Sequence, residues 1–212
     1  MKTLIVGDIH GKVEVVEKAL AQEHPVIFLG DIADSFDRKL IHHLKCFSLI
    51  FNAINDGKAR CIYGNHELSY IEPRMRCSGY NPVMQTHMDG SIKQEMEKLF
   101  EHFIWFKPNI LISHAGLTYP LYDIHNLELD TLKDRLDEWE DDIKSPMYAI
   151  GQSRGGLSKH GGMFWCDWSE FEPVPGLIQI VGHTRGKEMR QKEQSFCIDY
   201  NDFQSEFFYM DL

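Results

Sequence analysis

Short apolar runs alternate along the chain with stretches whose apolar residues recur every third or fourth position. The runs "TLIVG" (3–7), "VIFLG" (26–30) and "ARCIYG" (59–64) read as strands. Between them, "KVEVVEKALAQ" carries Val13, Val16 and Leu20 at helical spacing. Residues 38–55 put Leu40, Leu44, Phe47, Phe51 and Ile54 on one helical face. Strand–helix alternation of this kind predicts a parallel or mixed sheet with helices packed on its faces.

The remaining two thirds are less regular. Residues 71–91 ("IEPRMRCSGYNPVMQTHMDGS") read as an irregular flap, followed by a helix over about 91–103 and strands near 104–106 and 109–113. Leu129, Leu132, Leu136, Trp139 and Ile143 share one stripe of an acidic helix over 128–143, a pattern that suits packing on the body better than partner binding. Strands at 177–181, 194–199 and 206–210 close the chain and read as part of a second sheet layer. The 212 residues show no repeat or linker, so one domain over 1–212 is expected, with specificity insertions around 71–104 and 120–160.

Composition narrows the function classes. Against 22 Lys and Arg stand 32 Asp and Glu, a net charge of −10 that argues against a general nucleic-acid or anionic-membrane surface. The five cysteines are odd in number and lack Cys-x-x-Cys spacing, which disfavours a disulfide framework or zinc finger. With no signal-like leader before the first strand and no membrane-length apolar run, a soluble cytoplasmic protein is expected.

The chemistry gathers at strand ends. Five apolar runs stop on Asp, Asn or His, usually beside glycine: "GDIHG" at Asp8 and His10, "GDIAD" at Asp31 and Asp34, "GNHE" at Asn65, His66 and Glu67, "SHAG" at His114, and "GHTR" at His183. A single such residue is ordinarily a turn former or helix cap. Five in series point instead to a ligand crevice at the carboxyl ends of strands. Asp8, His10, Asp31, Asn65, His114 and His183 mix carboxylate, amide and imidazole donors without thiolate, a set suited to Mn2+, Fe or Zn2+ and poor for Ca2+. Six are too many for one ion and natural for two that share a carboxylate.

In this order and at these intervals the motifs resemble the calcineurin-like metallophosphoesterase superfamily. The spacing is closest to its phosphoprotein-phosphatase branch, with the compact bacterial and phage enzymes. The resemblance implies an α/β fold, a two-layer mixed β-sandwich flanked by helices, with a dinuclear site at the strand ends. It implies that Asp8 and His10 bind the first metal, that Asp31 bridges, and that Asn65, His114 and His183 hold the second. Mn2+ is the first choice of metal. Where many phosphodiesterase members read "GHxH", this chain has Arg185, which favours the phosphatase-like branch.

The resemblance also assigns His66 as the acid that protonates the leaving group and Asp34 as the carboxylate that orients it. Direct attack by metal-bound hydroxide follows, without a covalent phosphoenzyme. Glu67 is expected to support its turn, and Asp199 to orient a ligand histidine. The chain departs from the family at "GDxxDRG": Ser35 follows Asp34 where an arginine is usual. Arg154, Arg38 and Arg185 are the candidate replacements for clamping phosphate. The expected substrate is a phosphomonoester, with phosphoserine or phosphothreonine in proteins as the family-level reading. The alternative is a nucleotide-directed phosphohydrolase acting on diadenosine tetraphosphate, terminal or 2′,3′-cyclic phosphates. A lesser alternative is a non-catalytic binding scaffold.

Overall fold

The computed structural model describes residues 2–200 and 207–211. In chain order the strands are β1 (Lys2–Val6), β2 (Val26–Phe28), β3 (Ala59–Ile62), β4 (Phe100–Glu101), β5 (Phe103–Lys107), β6 (Ile110–Ser113), β7 (Ile178–Val181), β8 (Arg190–Lys192), β9 (Ser195–Cys197) and β10 (Phe208–Asp211). The α-helices are α1 (Val13–Leu20), α2 (Leu40–Asn55), α3 (Asn65–Ile71), α4 (Pro82–His87), α5 (Lys93–Leu99), α6 (Tyr119–Ile124) and α7 (Leu132–Glu140). The chain divides into two compact units, Met1–Glu101 with Asp202–Leu212, and His102–Asn201.

The first unit holds a sheet in the order β10-β1-β2-β3-β4. β1 to β4 run parallel, so β1, β2 and β3 end at the same edge. The strands are buried almost throughout, as expected of a parallel sheet covered by helices. α1 buries Val13, Val16 and Ala19, and α2 buries Cys46, Phe47, Ile50 and Ala53, each set at helical spacing. β10 pairs antiparallel with β1, Lys2 opposite Asp211 and Ile5 opposite Phe208. The last strand therefore belongs to the first sheet and not to a second layer. A short apolar run marks a strand but carries no information about its neighbour. Residue 206 of that predicted strand lies outside the described residues.

Residues 71–91 are more ordered than their sequence suggests. Pro73–Met75 forms a 3-10 turn, and α4 follows a turn capped by Asn81, whose side chain accepts from the amides of Val83 (2.8 Å) and Met84 (3.4 Å). Pro82 stands at the first helical position, where its missing N–H costs nothing, and Met84 and Met88 are buried. The helix expected to reach residue 103 stops at Leu99. Phe100 turns extended to pair with Cys61, its ring 5.6 Å from Phe51 and 5.5 Å from Tyr63.

The second unit holds a sheet in the order β5-β6-β7-β9-β8, with β6, β7 and β9 parallel. β8 reads Arg-Gln-Lys, an edge strand too polar to be seen in the apolar pattern. α7 is shorter than the predicted 128–143: Leu132, Leu136 and Trp139 are buried, while Leu129 precedes the helix and is exposed. Trp168 stacks on Phe171 at 4.9 Å, in a core with Ala115, Cys166, Val181 and Cys197. No helix among the described residues is long and apolar enough to cross a membrane.

Candidate metal centre

In the first unit the chain after β1, β2 and β3 turns within a few residues, and the turns are laced together. The amides of Ile9 and His10 donate to the carbonyl of Asp31 (3.0 and 2.6 Å), and that of Gly11 donates to Ile32 (3.1 Å). Glu67 ties the β2 and β3 ends: its carboxylate accepts from the amides of Asp31, Ile32, Ala33 and Gly64 at 2.8–3.0 Å. Two glycines permit the approach. A Cβ on Gly30 would lie 2.3 Å from the Gly64 nitrogen, and one on Gly64 would lie 2.1 Å from Asp31 Oδ1.

These turns hold strained backbone. Six non-glycine residues among those described have φ in the left-handed region; His10, Asp31 and Asp34 lie in these turns, and a fourth, His183, follows β7 in the second unit. Each such residue costs on the order of 1–3 kcal/mol and persists only where its surroundings over-determine it.

His10 is oriented by its backbone neighbours. Nδ1 faces the carbonyls of Asp34 (2.7 Å) and Ala33 (3.1 Å), both acceptors, so Nδ1 carries the proton and Nε2 presents its lone pair. Nε2 lies 3.9 Å from Asp8 Oδ2 and 3.8 Å from Asp31 Oδ2. These gaps are too wide for hydrogen bonds and suit atoms sharing one cation at bonds of about 2.0–2.2 Å. Burial holds the imidazole below its ordinary pKa, keeping it in the neutral form that a metal requires. Asn65 is buried at the first position of α3.

Asp34 and His66 form a second layer. His66 Nδ1 lies 3.0 Å from Asp34 Oδ2, and Tyr70 donates its hydroxyl to Asp34 Oδ1. Asp31 Oδ1 accepts from the His66 amide at 2.9 Å. Burial disfavours the His66 imidazolium, but the charge of Asp31 and the Asp34 bond outweigh it and raise its pKa well above the usual value. The Glu67 carboxyl is pushed up to about 7, first by burial and then by Asp31, against its amide bonds. Asp8, Asp31, Asp34 and Glu67 are four buried acids close together, and a bound cation would offset that charge. The donor set fits divalent metal.

In the second unit, His114 follows β6 and His183 follows β7, and the Gly182 amide donates to the His114 carbonyl at 2.8 Å. His114 Nε2 and His183 Nδ1 stand 3.1 Å apart, as two imidazoles directed at one point do. Gln179 pins the loop after His114 by a pair of 2.8 Å bonds with the backbone of Leu117. Trp165 is buried with its ring 6.2 Å from that of His183.

The candidate arginines differ. Arg38 forks onto Glu14, with Nη2 2.7 Å from Oε1. Arg154 pairs with Asp167 at 2.7 Å and donates to Thr184 Oγ1 at 3.1 Å, while its Nε is buried with no hydrogen-bond partner among the described residues. Arg185 is exposed.

The sequence pattern understates Glu67 and leaves Tyr70 and Cys77, two neighbours of the Asp34–His66 pair, without mention. Glu67 does more than support its own turn, and its signal is its place at the third position of α3, from which it reaches back to the Gly64 amide as the glutamate of a capping box does. Tyr70 sits one turn beyond His66 on α3, so it becomes visible once that helix is assigned. Cys77, 3.4 Å from His66 Nδ1, had no local signal.

Comparison with known proteins adds the family. The family model for calcineurin-like phosphoesterases matches residues 1–185. No curated protein matches. Among solved structures, a cold-active protein tyrosine phosphatase shares 16% identity at a TM-score of 0.62, covering 93% of this chain and 69% of the other. A protein serine/threonine phosphatase from Saccharomyces cerevisiae shares 14% at a TM-score of 0.50, covering 93% and 66%. At these identities the likeness is one of fold. The family match, spanning all five strand-end motifs, identifies the chain as a member of the calcineurin-like phosphoesterase family and a metal-dependent phosphoesterase.

Proposed function

We propose that the chain is a cytoplasmic phosphomonoesterase acting on alkyl phosphates, with phosphoserine or phosphothreonine in proteins as the substrate class. In this reading Asp8 and His10 would hold one divalent cation and Asn65, His114 and His183 a second, with Asp31 a ligand they would share. Mn2+ is preferred, with Fe or Zn2+ as alternatives. When bound, such a pair brings the pKa of water down from about 15.7 toward 7 and neutralises phosphoryl oxygens.

The chain's own residues do the rest. His66 gives the proton at Nε2 to the departing oxygen, and Asp34 keeps the opposite proton on Nδ1 and balances the imidazolium. Tyr70 holds Asp34 in place. Arg154 contacts the phosphate through its guanidinium.

The observation that carries this reading is the 3.0 Å contact between His66 Nδ1 and the buried Asp34. A serine or threonine alkoxide is a poor leaving group and needs an acid, whereas a phenolate of pKa about 10 leaves with little help. A maintained, carboxylate-backed imidazolium therefore favours alkyl esters. The nucleotide-directed alternative draws on Ser35 and on the engagement of Arg38 by Glu14. Assays of the Mn2+-loaded protein on phosphoserine and phosphothreonine peptides, phosphotyrosine peptides, diadenosine tetraphosphate and 2′,3′-cyclic nucleotides separate the readings. The highest kcat/KM is expected on the first two. A preference for the nucleotides would replace the proposed substrate.

A further inference from the structure

Around the acid lies a further set of metal-ligating atoms, apart from the ligands assigned to the catalytic cations. Asp34, His66 and Cys77 each offer one ligand atom, and the three atoms lie within 4.8 Å of one another. His66 Nδ1 is 3.0 Å from Asp34 Oδ2 and 3.4 Å from Cys77 Sγ. A tetrahedral zinc with bonds of about 2.0–2.1 Å to N and O and about 2.3 Å to S sets those gaps at about 3.3 and about 3.6 Å. The observed separations are shorter by only a few tenths of an ångström, a rotamer adjustment.

The cysteine is held in place. Cys77–Tyr80 forms a turn closed by the Tyr80 amide on the Cys77 carbonyl (3.3 Å), with Gly79 at φ +90°. Gly79 packs on the pair, since a Cβ there would meet Asp34 Cβ at 3.3 Å and His66 Cε1 at 3.8 Å. Tyr80 stacks on Tyr70 at 5.1 Å, and the Arg76 guanidinium lies 4.4 Å from the Tyr80 ring centre. Cys77 and His66 are partly exposed, so an ion has an entry path and a fourth position for water. Thiolate, imidazole and carboxylate together select Zn2+ over Mn2+.

We propose that Asp34, His66 and Cys77 form an inhibitory Zn2+ site separate from the catalytic cations. Binding displaces one proton from the Cys77 thiol and one from His66 Nδ1, both released to solvent. An imidazole ligated at Nδ1 keeps a single proton, on Nε2, and losing it would leave an imidazolate, so the ring stops serving as an acid. The inhibition rests on the acid role of His66 given above, whereas the binding does not.

The test adds Zn2+ to Mn2+-loaded protein and reads metal content after desalting, with Co2+ as a spectroscopic probe. Wild type should retain one zinc per chain beyond that held by Cys77→Ser, and should show a thiolate-to-cobalt charge-transfer band that Cys77→Ser lacks. Cys77→Ser should keep its Mn2+-supported activity and need at least about tenfold more Zn2+ for half-inhibition. Equal zinc content and equal spectra in the two proteins would overturn the site. A band present with equal zinc sensitivity would overturn the inhibition. A band with no phosphatase activity in either protein would support the site and remove the proposed function instead.

Discussion

The two units fasten their candidate ligands by different physics. In the first, a buried carboxylate does the fastening: Glu67 accepts four backbone amides, beside three more buried acids. In the second, a neutral amide does it: Gln179 makes two bonds to Leu117, and the aromatic pair Trp168 and Phe171 fills the space behind. The first arrangement concentrates negative charge and depends on a cation to offset it. The second fastening is made by a neutral amide and adds no charge of its own. Metal removal should therefore loosen the turns after β1, β2 and β3 more than those after β6 and β7, a contrast that amide hydrogen exchange would read directly.

The largest effect is expected at Asp31. Asp31→Asn removes the charge at the centre of the acidic unit, and a loss of several kcal/mol of transition-state stabilisation corresponds to roughly 10³- to 10⁴-fold in kcat/KM. His66→Ala should cost roughly 10²- to 10³-fold on a phosphoserine peptide. On p-nitrophenyl phosphate, whose leaving group needs little protonation, the loss should be far smaller. Equal losses on the two substrates would remove His66 from the acid role.

The contrast between the fastenings is sharpened by Glu67→Gln and Gln179→Leu. Each leaves buried amides unsatisfied and should lower stability by on the order of 1–3 kcal/mol, or about 2–4 °C in Tm per kcal/mol. Of these two residues only Glu67 titrates, so only its substitution should change the pH dependence. Its carboxyl titrates near 7 in the folded metal-free chain against an ordinary value of 4.5. Between those values the folded state holds a proton that the unfolded chain has released, so this group's contribution to stability falls as pH rises from about 4.5 to about 7. Denaturant unfolding across that range should show the stability of wild type relative to Glu67→Gln falling as pH rises, whereas wild type relative to Gln179→Leu should stay level. Divalent cations should flatten the fall by screening Asp31.

The smallest change is Tyr70→Phe, which removes the hydroxyl's bond to Asp34 and the 3.0 Å bond it accepts from the Asn81 amide. A net loss of about 1 kcal/mol gives roughly fivefold in kcat with KM unmoved.

The strand ends were legible in the sequence because a parallel sheet writes its strands as unbroken apolar runs, so Asp8, Asp31, Asn65, His114 and His183 stand out where the runs stop. The backbone strain at His10, Asp31, Asp34 and His183 was not legible, because φ is fixed by the loops packed around these residues and not by their type. The order within segment 71–91 is hidden for another reason. α4 spans six residues, too short to show a helical period, and its evidence lies in the Asn81-Pro82 start and the buried Met84 and Met88. Strand partners were beyond reach as well: nothing in Phe208–Asp211 says that it lies against β1. Cys77 comes near His66 only through the turn that ends at Tyr80.

Metal content tests the central claim most directly. Wild type and Asp31→Asn, each loaded with Mn2+ and desalted, are compared by elemental analysis. Two manganese ions per wild-type chain and fewer than one in the variant are predicted. Two in both, or none in either, would contradict the account.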